Sequence, residues 1–79
     1  MFDIQKIISL IKEIKPGVDI GPDDELIEKG ILESMDIMML AAKLNEEFDV
    51  TISPLDLKEE NFKSAAAIAS MLEEIEDRF

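Results

Sequence analysis

Apolar residues recur at intervals of three and four in several stretches of this chain, and that spacing restricts it to packed helices. Phe2, Ile4, Ile7, Ile8, Leu10, Ile11 and Ile14 predict a first helix over about 3–14. Asp3 stands near its N-cap, and Lys12 and Lys15 stand near the last carbonyls, where cations suit the helix dipole. The isoleucines alone would suit a strand, but the spacing holds over three turns, and Pro16-Gly17 then ends the element. Ile37, Ala41, Leu44 and Phe48, with Leu40 flanking, define the buried stripe of a second helix over about 34–47. After the extended link Asp49-Val50-Thr51-Ile52-Ser53, the pair Ser53-Pro54 predicts a short helix running to about 59. Asn61-Phe62-Lys63 leads to Ser64, the cap of a last helix over about 65–77 whose inward stripe is Ile68, Met71, Leu72 and Ile75.

Between the first two helices lies a long connection, about 15–33, carrying Gly17, Gly21, Pro22 and Gly30. So long a loop needs pinning, and Leu26, Ile27, Ile31 and Leu32 are the residues to supply it. Gly30 offers a backbone turn just before helix two. The expected fold is therefore all-α: a four-helix bundle of three long helices and one short, in a single domain over 1–79.

The charge balance narrows the function. With 19 acidic and 8 basic residues the net charge is −11, which opposes phosphate backbones and anionic lipid. Neither nucleic acid nor membrane insertion is expected, whereas basic protein surfaces are suitable partners. The chain has no cysteine and no histidine, which removes disulfides, thiolate chemistry and the commonest general base and metal ligand. The apolar start carries Asp3 and Lys6 and no cleavage site, so it reads as a helix of a cytoplasmic protein rather than a signal or a span.

The sharpest local feature is Gly30-Ile31-Leu32-Glu33-Ser34-Met35-Asp36, which sets a serine between two acids at the mouth of helix two. A hydroxyl there lies near unpaired N–H groups and the positive end of the helix dipole, a favourable place for an anion. The flanking carboxylates would give a basic enzyme its handles. By itself the motif is a weak signal and reads first as an ordinary N-cap serine.

The wider pattern adds to this. The order of elements resembles the acyl carrier protein family over nearly the whole chain. So do the stretch Leu26-Ile27-Glu28-Lys29-Gly30-Ile31-Leu32-Glu33-Ser34-Met35-Asp36 and Leu40, Leu44-Asn45-Glu46-Glu47-Phe48, Ile52-Ser53-Pro54. That resemblance implies a four-helix bundle with an Asp-Ser-Leu motif at the start of helix two. It also implies a 4′-phosphopantetheine arm, taken from coenzyme A and joined to the serine by a phosphopantetheinyl transferase. By the match Ser34 is that serine, with Glu33 in place of the usual Asp and Met35 in place of the usual Leu. Asn61-Phe62-Lys63-Ser64-Ala65-Ala66-Ala67-Ile68 is similar to stand-alone D-alanyl and peptidyl carriers more than to fatty-acid carriers.

The resemblance thus implies a monomeric, non-catalytic carrier of an acyl or aminoacyl thioester. Its partners would be a loading enzyme and downstream transferases with basic surfaces. Met35, Met38, Met39 and Ala42 fall at helical spacing off the buried stripe and would form an apolar contact strip, rimmed by Glu33, Asp36 and Glu46. Methionines also fill cores, so burial of one or two is the competing reading. The acidic run 19–25 does not make a calcium loop, because Asp24 stands where that loop needs glycine and Gly30 at its last ligand position. The alternative to a carrier is an unmodified acidic helical interaction module.

Overall fold

The computed structural model of the chain describes residues 2–78. Three α-helices form: α1 (Ile4–Ile14), α2 (Ser34–Phe48) and α3 (Ala65–Asp77). Two 3-10 turns, Pro54–Asp56 and Glu59–Phe62, lie between α2 and α3. The described residues contain no strand, and none of their helices is long and apolar enough to cross a membrane.

Local chemistry sets the helix ends. Asp3 accepts the Gln5 N–H at 2.9 Å and starts α1. At the other end Lys15 N–H returns to the Ile11 carbonyl at 2.8 Å, and Gly17 takes a left-handed φ of 91° to turn the chain away. α3 starts on Ser64, whose hydroxyl oxygen accepts the Ala67 N–H at 3.0 Å. α1 packs on both α2 and α3 through Ile7, Ile8, Leu10 and Ile11, all buried. α2 contributes Ile37, Leu40, Ala41 and Leu44 to the same core, and α3 contributes Ile68, Met71, Leu72 and Ile75. Phe48, expected to end the buried stripe of α2, is only half-buried and meets Phe2 edge-on at 5.3 Å.

The short helix expected from Pro54 to about 59 is replaced by the two 3-10 turns. Asp56 is the physical reason. Its carboxylate accepts both the backbone N–H and the hydroxyl of Ser53, each at 3.1 Å, which closes a single tight turn. Its carbonyl is taken by the Lys58 N–H and the Asn61 side-chain amide, both at 2.9 Å, so the i+4 bond of an α-helix has no acceptor. Arg78 grips the same carboxylate at 2.7 and 3.3 Å and ties the end of α3 to this turn. Phe62, wholly buried, plugs the second turn into the core against α3.

The long connection is held at both ends of its middle section. Leu26 N–H donates to the Lys63 carbonyl at 2.8 Å, and Ala66 N–H donates to the Pro22 carbonyl at 3.0 Å. The Leu26 carbonyl accepts from Ile31 and Leu32 at 2.8 and 3.0 Å, and Gly30 takes a φ of 72° to allow that fold-back. Leu26 and Leu32 are thereby buried in the core, and the chain arrives at α2 from a fixed point.

Deleting the Phe62 ring should cost about 3–5 kcal/mol, a large part of the stability of a small domain. Phe48→Ala should cost less, since that ring is already half in water. Urea midpoints of both variants test the ranking; equal losses, or a Phe62→Ala loss under about 1 kcal/mol, would contradict it.

Candidate functional site

The mouth of α2 is built by Glu33 and Asp36. Glu33 occupies the cap position with extended backbone, and Ser34 is the first helical residue. Asp36, third in the helix, reaches back and accepts the Glu33 N–H at 2.9 Å. The same oxygen accepts from the Lys15 ammonium at 3.0 Å. One carboxylate therefore joins the C-terminal end of α1 to the N-terminal end of α2. The Glu33 N–H, helped by Lys15, holds the Asp36 carboxyl below the ordinary aspartate value of 3.8, while burial pushes the other way.

Ser34 is consequently relieved of capping. Among the described residues its hydroxyl takes part in no protein hydrogen bond, and the residue is exposed. The reading of Ser34 as the N-cap gives way to Glu33 in that position. Two open grooves flank the hydroxyl. Lys15, Gly30, Glu33, Met35 and Asp36 line one of them, and Ile37, Met38 and Leu57 line the other. Glu59, from the second 3-10 turn, borders both.

Met35, Met38 and Met39 are 74%, 63% and 46% exposed, so none of the three is a core filler. Ala42, Glu33 and Glu46 are exposed as well. Asp36 is the correction to the expected rim. It is 7% exposed, turned in toward Lys15, and offers a partner little charge. Lys15, Leu57 and Glu59 line the grooves but were not legible as site residues. Lys15 read only as a helix-end cation, and the other two lie in a segment without periodicity. Leu55, 86% exposed, adds a further apolar point on the first 3-10 turn. In the acidic run, Asp24 accepts the Gly21 N–H at 2.6 Å and pairs with Lys29 at 3.5 Å. Among the described residues no group of three Asp or Glu is placed to hold a metal ion.

The described residues thus form a small all-helical domain with an exposed serine, bonded to no protein group, at a helix mouth. Over residues 4–72 the chain matches the family described as phosphopantetheine attachment site, and it belongs to that family. It is a carrier protein, with 4′-phosphopantetheine as its covalent cofactor. It is 34% identical over 77 residues to the D-alanyl carrier protein of Lactococcus lactis subsp. cremoris (strain MG1363), covering 98% of this chain and 92% of that one. The D-alanyl carrier protein of Lactococcus lactis subsp. lactis is 32% identical over the same coverage. Aminoacyl carrier protein 1 of Bradyrhizobium diazoefficiens is 34% identical over 71 residues, 85% of this chain and 78% of that one. No solved structure matches the chain.

The site carries a pH dependence whose sign follows from its carboxylates. Asp56 is lowered by Arg78 foremost, as Asp36 is by the Glu33 N–H, so both stabilise the fold fully above 3.8 and less as pH falls through their lowered values. Exposed Glu28, raised from 4.5 by its neighbour Glu25, works in the opposite sense, its contribution fading as pH rises. Stability should therefore drop below about pH 4, and Asp36→Asn should flatten that drop. From mildly acidic to neutral pH the net charge of −11 should lower stability at low salt, with added salt restoring part of it. Thermal melts across pH and salt check both; an acid limb unchanged in Asp36→Asn would count against the Asp36 joint.

Proposed function

We propose that Ser34 carries the phosphopantetheine arm and that this chain presents an aminoacyl or acyl thioester on it. The observation that supports this most directly is the free, exposed hydroxyl at the first position of α2, with Glu33 and Asp36 doing the capping in its stead. The residues present suit the group. A phosphodiester on Ser34 would lie beside unpaired first-turn N–H groups, and the two grooves leave room for the arm. The arm supplies a terminal thiol for the thioester; the chain's own residues position it and meet the partner enzymes. Met35, Met38, Met39 and Ala42 offer apolar contact, and Glu33 and Glu46 attract a basic partner.

An aminoacyl cargo is favoured by the relatives, two of which are named as D-alanyl carriers and one as an aminoacyl carrier. We read the two 3-10 turns as standing in for the short third helix of a four-helix carrier domain spanning 1–79. The chain itself would catalyse nothing; loading and transfer belong to cytoplasmic partner enzymes acting on a monomer.

Incubating the apo protein with coenzyme A and a broad-specificity phosphopantetheinyl transferase should add one arm by intact mass. Ser34→Ala should add none while keeping its circular dichroism. A full adduct on the alanine variant would place the arm elsewhere. A parent that gains no mass would make the unmodified interaction module the better reading. Met38→Glu should fold and accept the arm yet be loaded more slowly by the cognate enzyme. Normal loading of that variant would move the partner surface off this strip.

A further inference from the structure

Eight basic residues serve this chain, and most of those in ion pairs are placed away from Ser34. Lys6 pairs with Glu47, Lys43 with Glu13, Lys29 with Asp24 and Arg78 with Asp56. Lys15 alone among them lines a groove that contains Ser34. The other charged groups lining the two grooves are Glu33, Asp36 and Glu59, all carboxylates. A phosphodiester on Ser34 would add one more negative charge to this acidic setting.

Lys15 has the means to answer that charge. Its ammonium has three donors, of which Asp36 takes one at 3.0 Å. The side chain remains about a third exposed, on the groove side. Asp36 is buried and held by the Glu33 N–H, so it anchors the ammonium rather than following it. The lysine is thus fixed at its tip by one residue of the α2 mouth and at its base by the end of α1. A charge held in advance loses little freedom when a ligand arrives, which distinguishes it from a free surface lysine.

Resting on the reading of Ser34 as the attachment residue, we propose that Lys15 is a positioning residue for the arm. Its Asp36-anchored ammonium faces the phosphodiester on Ser34 and holds the first link of the arm toward the α1 end of the molecule. The contact is a charge-assisted hydrogen bond between nitrogen and phosphate oxygen, and no bond is made or broken. It gives the arm a preferred exit direction while leaving the outer part free to travel.

The phosphorus NMR signal of the holo protein reads this contact directly, without any loading enzyme. Lys15→Gln, once carrying the arm, should shift that signal and remove most of its salt dependence; Lys15→Arg should retain the parent behaviour. Lys12→Gln, altered on the exposed side of the same helix, should leave the signal in place. The decisive variant is Lys15→Gln combined with Asp36→Asn, which removes both charges of the pair. Asparagine can still accept the Glu33 N–H, so the helix mouth is retained. A shift that persists in the double variant supports direct contact with the phosphate. Return of the parent signal in the double variant would show that Lys15 acts only by balancing Asp36, and would overturn the proposal. So would an unmoved signal in Lys15→Gln. Intact mass keeps the two readings apart: a parent without an arm fails at Ser34, whereas an armed protein with an indifferent signal fails at Lys15.

Discussion

The carboxylate of Asp36 brings together two helix ends that are far apart along the chain. It receives the backbone N–H of Glu33 from one side and the ammonium of Lys15 from the other. A buried carboxylate left without partners costs several times what an exposed pair contributes, so this joint resists being opened from either side. The position of Ser34 depends on it. With the first turn of α2 capped by its neighbours, the serine hydroxyl stays in solvent at the positive end of the helix, and Lys15, just past α1, lines the groove beside it.

The joint holds because the connection feeding it is itself pinned. Leu26 and Leu32 are buried, the Leu26 carbonyl accepts two N–H groups, Leu26 N–H bonds to the Lys63 carbonyl two residues before α3, and the Pro22 carbonyl accepts from Ala66 in its first turn. A free loop of this length would leave the helix mouth to wander, at a closure cost that grows only slowly with length. In the 3-10 turns after α2, Asp56 does for the α2–α3 connection what Asp36 does for α2. Arg78 draws it in from the chain's other end, and the two 3-10 turns place Leu57 and Glu59 beside Ser34.

α2 is consequently a two-sided element. Ile37, Leu40, Ala41 and Leu44 face the core, while Met35, Met38, Met39 and Ala42 face water. An apolar outer face next to Ser34, the residue proposed to carry the arm, is an unusual use of surface for a small acidic domain, and long-range charge tempers it. The net charge of −11 keeps such domains apart from one another. Membership of the phosphopantetheine attachment family supplies a reason for both properties, since carrier proteins interact with loading enzymes and transferases.

Much of this was determined by the sequence alone. The three-and-four spacing specified α1, α2 and α3 to within a residue or so, because amphipathic periodicity and cap residues are local properties of consecutive side chains. Gly30-Ile31-Leu32-Glu33-Ser34 likewise marked the helix mouth and its serine. The tertiary structure alone decided what depends on partners distant along the chain. Ser53-Pro54 promised a helix, but Asn61 and Arg78 claimed the groups of Asp56 and shortened it to a turn. Asp36 reads as a rim charge in one dimension, and only the arrival of Lys15 from the end of α1 turned it into an inward joint. Phe48 satisfied the stripe yet, as the last residue of α2, is only half-buried against Phe2. A hydrogen bond or an ion pair across twenty residues leaves no periodic trace, so those assignments had to await the packing itself.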